Sequence, residues 1–131
     1  LEFRKIVTRT AIEHLINNYS EKVIEELETN LQIQKDAFWR KNSKGYDAAH
    51  KEFHIVLVES LNNPLISMFH LQALQLLTKP MKQSSDALIV TEASIREHEE
   101  IIHAIEHRDI EEALNALDRH LSRAQENLQS N

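Results

Sequence analysis

Apolar residues return at intervals of three and four along almost the whole of this chain, and nothing interrupts that rhythm for long. A period near 3.6 places such residues on one face of a helix, whereas strands need strict alternation. With one Gly and two Pro, the chain also lacks the turn residues that an all-β fold demands. The pattern predicts an all-α protein, an antiparallel bundle of about six helices. Its 131 residues make a single domain, long enough to bury a core without disulfide or metal staples.

The first helix is expected over Leu1 to Asn18, with Arg4, Val7, Ala11 and Leu15 in one line. An Arg inside an apolar stripe needs a carboxylate, a phosphate or water beside it; the alternative is a guanidinium that snorkels to solvent at the helix end. Ser20 is placed to cap a second helix reaching Trp39 and carrying Val23, Leu27, Leu31 and Phe38. A polar break at 42–45 leads to a third helix, capped by Ser43 and stopping near Asn62. Asn63-Pro64 is a restart signal for a fourth helix to about Lys79. That helix is apolar nearly all round, which predicts either a central place in the bundle or an interface with a second copy. Pro80 to Ser85 carries no clear pattern. Thr91 is the expected cap of a fifth helix reaching His107, and Asp109 with Glu112 resembles the start of a capping box for a sixth, to about Leu128.

The eight His residues divide by face. Tyr46, His50, Phe53, His54, Leu57 and Leu61 fall into one stripe of the third helix, so both imidazoles point where the core residues point. On the fifth helix His98 sits within the stripe of Ile95, Ile101, Ile102 and Ile105, while His103 and His107 lie on the charged face with Arg96 and Glu100. On the sixth, His120 lies at the edge of the stripe of Ile110, Leu114, Leu117, Leu121 and Leu128, beside the small residues Ala113, Ala116 and Ala124. A very short turn near Asp109 makes these two helices an antiparallel pair. His98 and His120 stand eleven residues before and eleven after it, so they sit at one height and can face each other. Neutral imidazole is the commonest metal ligand, and four inward His on three helices predict a metal site. His14 and His70 have no comparable partner and read as structural.

Composition narrows the remaining classes. No Cys is present, which fits a reducing compartment and excludes thiolate sites. No apolar run approaches the roughly 20 residues that span a bilayer. The net charge of -6 argues against nucleic-acid binding by this chain alone. LEFRKIV opens without Met and already inside an amphipathic pattern, as in a piece of a longer protein.

Three segments together resemble a known family. HKEFHIVLVESLNNPL is similar to the D-x-x-F-H segment and Asn-Pro restart of the FCD domain, the all-helical effector-binding half of FadR-subfamily GntR transcriptional regulators. REHEEIIHAIEHRDIEEALNALDRHL resembles that family's later signature, H-x-x-I-x-x-A-I followed by Asp, Ala and a His-Leu. LEFRKIV resembles its first effector-domain helix, where an Arg precedes an apolar pair. The resemblance runs over essentially the whole chain. It implies one effector-binding and dimerisation domain over 1–131, with a winged-helix DNA-binding domain before Leu1; the apolar circumference of the fourth helix adds the expectation of a homodimer, and the absence of Cys fits a cytoplasmic protein. Metal-containing members hold a divalent cation with an Asp and three His; the matching positions are His50, His54, His98 and His120. His50 stands where the family usually has Asp, which implies a less negative donor set favouring zinc or nickel over manganese or magnesium. Arg4 matches the Arg that can face the effector cavity, implying a small organic acid as effector.

Other chemistries fit less well. His50 and His54 are spaced as in H-E-x-x-H, but Glu52 is misplaced for a zincin base, and Glu100 to His103, the one candidate for a di-iron motif, points outward. There is no Ser/His/Asp set, Gly-rich phosphate loop or pair of inward carboxylates, so an enzyme is not expected. A metal-binding carrier or oxidoreductase bundle, and a plain dimerisation bundle whose four His are core residues, stay open on spacing alone.

Overall fold

The computed structural model describes residues 2–77 and 85–129. They form six helices and, among the described residues, no strand: α1 Glu2–Asn17, α2 Glu21–Trp39, α3 Ser43–Glu59, α4 Pro64–Leu77, α5 Ser85–Glu106 and α6 Ile110–Gln129. The all-α bundle read from the period is therefore the fold. Expectations for Thr78, Lys79 and residues 80–84 lie outside the described residues, as do those for the side chains of Ala124 and Leu128. No described helix is long and apolar enough to cross a membrane.

Capping sets most of the boundaries. Ser20 Oγ accepts from Val23 N at 3.3 Å, and Asn63 Oδ1 accepts from Ile66 N at 3.2 Å with Pro64 at the first helical position, as expected for N-caps. Asp109 Oδ1 accepts from Glu112 N at 3.1 Å, yet the Glu112 carboxylate turns to Arg119 rather than back to the cap, so the box is half made. Two caps differ from expectation. α3 is capped by Asn42, whose Oδ1 accepts from Gly45 N at 3.0 Å, and Ser43 is already helical. A Cβ on Gly45 would stand 2.5 Å from Asn42 Nδ2, so the chain's one glycine serves the close approach of this cap. Thr91 is not a cap: α5 begins at Ser85 and carries Thr91 buried inside it.

No glycine is available for the helix C-termini. Lys41 and Arg108 take positive φ (56° and 57°) instead. Around each, the paired backbone bonds of a Schellman motif close the helix: Lys41 N to Phe38 O with Asn42 N to Ala37 O, and Arg108 N to Ile105 O with Asp109 N to Ala104 O.

The main core cluster is drawn from α1, α2, α3, α5 and α6, with Leu15, Leu27, Phe53, Leu57, Ile105 and Leu117 among its most buried members, and a smaller one joins Val7, Ala11 and Val58. α2 packs most extensively on α3, and α5 on α6. α4 is peripheral rather than central. Among the described residues it touches only α1 and α3, burying Leu74 and His70, and leaves Leu65, Met68, Phe69, Leu71 and Leu76 exposed. Its sequence has no charged residue, so its apolar character exceeds what the two faces it covers can use.

Candidate metal centre

Four histidines from three helices converge in the bundle. α3 supplies His50 and His54, α5 supplies His98 and α6 supplies His120, and one ring nitrogen of each lies within 4.8 Å of the other three. The facing of His98 and His120 follows from the hairpin register. Arg119 with Glu100, and Arg123 with Glu97, are ion pairs across the same antiparallel pair, and at that register His98 Nε2 and His120 Nε2 are 3.1 Å apart. His54 Nε2 is 3.1 Å from the same His120 nitrogen. His50 is half-buried as a residue, but its ring is packed 5.0 to 5.3 Å from those of His98, His120 and His54.

The outer nitrogens are held by different partners. His120 Nδ1 lies 3.1 Å from Glu97 Oε1, and the other Glu97 oxygen is 2.9 Å from Arg123 Nη2. His98 Nδ1 lies 2.7 Å from Gln34 Oε1, with the ring stacked on Phe53 at 4.2 Å between centroids. His50 Nδ1 meets the Tyr46 hydroxyl at 3.1 Å. His54 Nδ1 is buried without a partner. Burial pushes the imidazoles of His50, His54 and His98 well below the ordinary histidine range, and like-charge repulsion from His120 and Arg4 acts in the same direction. Burial lowers His120 as well, against the opposing pull of the Glu97 carboxylate. Burial also raises the Tyr46 hydroxyl. The four imidazoles are thus neutral, the state in which a ring nitrogen can donate to a cation.

The spacing suits an ion. Metal–nitrogen bonds of about 2.0–2.1 Å put neighbouring ligand nitrogens roughly 2.8–3.4 Å apart, from right-angled to tetrahedral geometry. The two 3.1 Å separations fall in that interval. As hydrogen bonds they are awkward: His120 Nδ1 faces a carboxylate and so holds that ring's proton, leaving Nε2 a bare lone pair with two imidazole neighbours. A carboxylate on the outer N–H of a ligating imidazole is the usual support of a bound metal. Among the described residues these four are the one grouping of three or more such donors able to share an ion.

Arg4 and His70 lie on the same interior. Arg4 is buried, so the snorkelling alternative is overturned. Its Nε has no partner, and among the described residues no carboxylate lies within ion-pairing distance of its guanidinium. Burial lowers its proton affinity, and its charge in turn depresses all four cluster histidines and His70. His70 is buried with Nε2 unpartnered, and burial followed by Arg4 lowers it to about 4. His14 stays apart, with Nδ1 3.4 Å from Asn18 Nδ2, and His103 and His107 are exposed as expected.

Sequence reasoning overlooked Glu97, Gln34 and Asn30. A signal existed: Asn30 and Gln34 are four apart and interleave with Leu27 and Leu31 on the buried face of α2, and Glu97 shares a face with Ile101.

The relatives accord with this architecture. No curated protein matches the chain. Among solved structures, that of Lar, which controls the expression of the Listeria monocytogenes agr system, superposes with a TM-score of 0.84 at 16% identity over 98% of this chain and 61% of its own. Escherichia coli McbR/YncC gives 0.84 at 14% identity over 98% of this chain and 62% of its own. The chain thus spans about three fifths of the length of those two proteins. The sequence model of the FCD domain matches residues 1–123. The chain belongs to the FCD-domain family.

Proposed function

We propose that this chain is the ligand-sensing domain of a GntR-type transcription factor, binding a small organic acid at a divalent metal site. His50, His54, His98 and His120 hold the metal and Arg4 receives the acid. The observation that carries the reading is a buried Arg4, its Nε unpartnered, whose charge acts on four converging, neutral imidazoles. An all-nitrogen donor set suits zinc or nickel, and such an ion supplies positive charge and open coordination positions. The chain itself keeps the ligands unprotonated by burial, orients His120 through Glu97, and offers Arg4 as a fork for a carboxylate. Because none of the four imidazoles brings negative charge, the cavity is positive although the whole chain is acidic. That field selects an anion over a neutral sugar.

The role is regulatory rather than catalytic. DNA contact belongs to a winged-helix domain before Leu1, and binding at a site shared by α3, α5 and α6 biases that domain's position. The uncharged outer face of α4 is where a second copy packs, giving a cytoplasmic homodimer. A metal carrier unrelated to transcription would give the four histidines the same neighbours, but it gives Arg4 nothing to do.

Elemental analysis should find about one zinc or nickel per chain, falling steeply in His98→Ala and His120→Ala. Carboxylates should then raise the melting temperature with concentration, and a chelator should abolish the gain. Unchanged metal content in both variants would overturn the site.

A further inference from the structure

We propose that Asn30 and Gln34 on α2 are positioning residues that hold His98 with its proton on Nδ1 and its Nε2 lone pair turned into the histidine cluster. The proposal rests on the metal reading above, but its central claim concerns the metal-free protein.

Hydrogen-bond polarity orients the series, beginning from a group that has no choice. The Ala49 backbone carbonyl only accepts. The Asn30 side-chain atom 2.9 Å from it is therefore the amide nitrogen, which turns the Asn30 oxygen toward Gln34. That oxygen also only accepts, so the Gln34 atom 2.7 Å away is its amide nitrogen. The remaining Gln34 atom is the oxygen, and it lies 2.7 Å from His98 Nδ1. An amide oxygen cannot donate, so Nδ1 carries the hydrogen. A neutral imidazole has one N–H, which leaves His98 Nε2 bare, 3.1 Å from His120 Nε2. Reversing any amide in the series sets oxygen against oxygen or N–H against N–H.

All three side chains in the series are buried: Asn30 at 6% exposure, Gln34 and His98 at 0%. A bundle core would ordinarily hold leucine at such positions on α2, since a buried amide is tolerable only when fully bonded. The series is also anchored outside its own helix. Ala49 precedes His50 on α3, so the relay joins the helix of two cluster histidines, through α2, to the helix of the third. It does so without charge, unlike the Glu97 contact to His120. Imidazole free in water favours the proton on Nε2. Without the relay, His98 would direct an N–H at the His120 nitrogen and close the space where the lone pairs meet. Outer-sphere partners of metal-bound histidines are typically worth 10- to 100-fold in metal affinity.

The test is the ring-nitrogen spectrum of the metal-free chain near neutral pH, because long-range proton–nitrogen correlation distinguishes a protonated ring nitrogen from a bare one. His98 is expected to show a protonated Nδ1 and a bare Nε2. Gln34→Met removes the acceptor at similar size; it should shift the His98 proton toward Nε2 and weaken zinc binding roughly 10- to 100-fold. Gln34→Glu, which keeps an acceptor, should retain the Nδ1 proton. A His98 protonated on Nε2 in the unsubstituted chain overturns the proposal, as does a Gln34→Met that leaves both proton position and zinc affinity unchanged. If Gln34→Met fails to fold, the unsubstituted and Gln34→Glu spectra still decide. An Nδ1 proton in a chain that binds no zinc would uphold the relay and overturn the metal reading instead.

Discussion

Replacing Arg4 with Met should make the metal-free, ligand-free domain more stable, the reverse of the usual result for a buried residue. Arg4 is 4% exposed, its Nε has no partner, and no carboxylate pairs with its guanidinium among the described residues. A buried polar group left unsatisfied costs about 1–3 kcal/mol, and more when charged. Met keeps an unbranched chain of similar volume, so the packing loss should stay under about 1.5 kcal/mol. The net expectation is a gain of about 1–2 kcal/mol, which for a domain of this size is roughly 3–8 °C in melting temperature. The measurement is urea unfolding with chelator present, repeated with zinc and with a panel of small carboxylates. Arg4→Met should be the more stable chain in chelator and should lose the stabilisation that carboxylates confer in zinc. A loss of more than about 1 kcal/mol in chelator would refute the reasoning, because it would show that the guanidinium is satisfied by the fold itself and not kept for an anion.

Two further outcomes follow from the same geometry. Buried histidines with lowered proton affinity bind fewer protons folded than unfolded, so the stability they confer is fully present above about pH 6.5 and is lost as pH falls. His70, lowered to about 4, and the four cluster histidines, all lowered by burial, contribute to that slope. Denaturant midpoints in chelator should therefore drop steeply from neutral pH to pH 5, and a flat profile would contradict the buried neutral cluster. Light scattering at micromolar concentration should give twice the chain mass, and Phe69→Glu on the exposed face of α4 should give a monomer of unchanged helicity; a monomeric unsubstituted chain would count against the dimer.

Much of this architecture was legible in the sequence, for reasons that are local. The 3.6-residue period, the Ser20, Asn63 and Asp109 caps and the inward faces of His50, His54 and His98 depend on residues within a turn or two of each other. Even the meeting of His98 with His120 was readable, because a short hairpin turn converts distance along the chain into height along the pair. Other features depend on which helices face each other, and no spacing within a segment records that. α4 has the composition of a central helix yet lies at the edge, since among the described residues only α1 and α3 reach it. Gln34 and Glu97 look like surface residues in the chain and become the outer partners of His98 and His120 only when α2 packs against α5 and α5 against α6. The burial of Arg4 with no ion pair among the described residues is likewise a product of packing. Periodicity determines which face of a helix turns inward; what that face meets is decided by elements distant in the chain, and the polarity of the histidine cluster arises at those meetings.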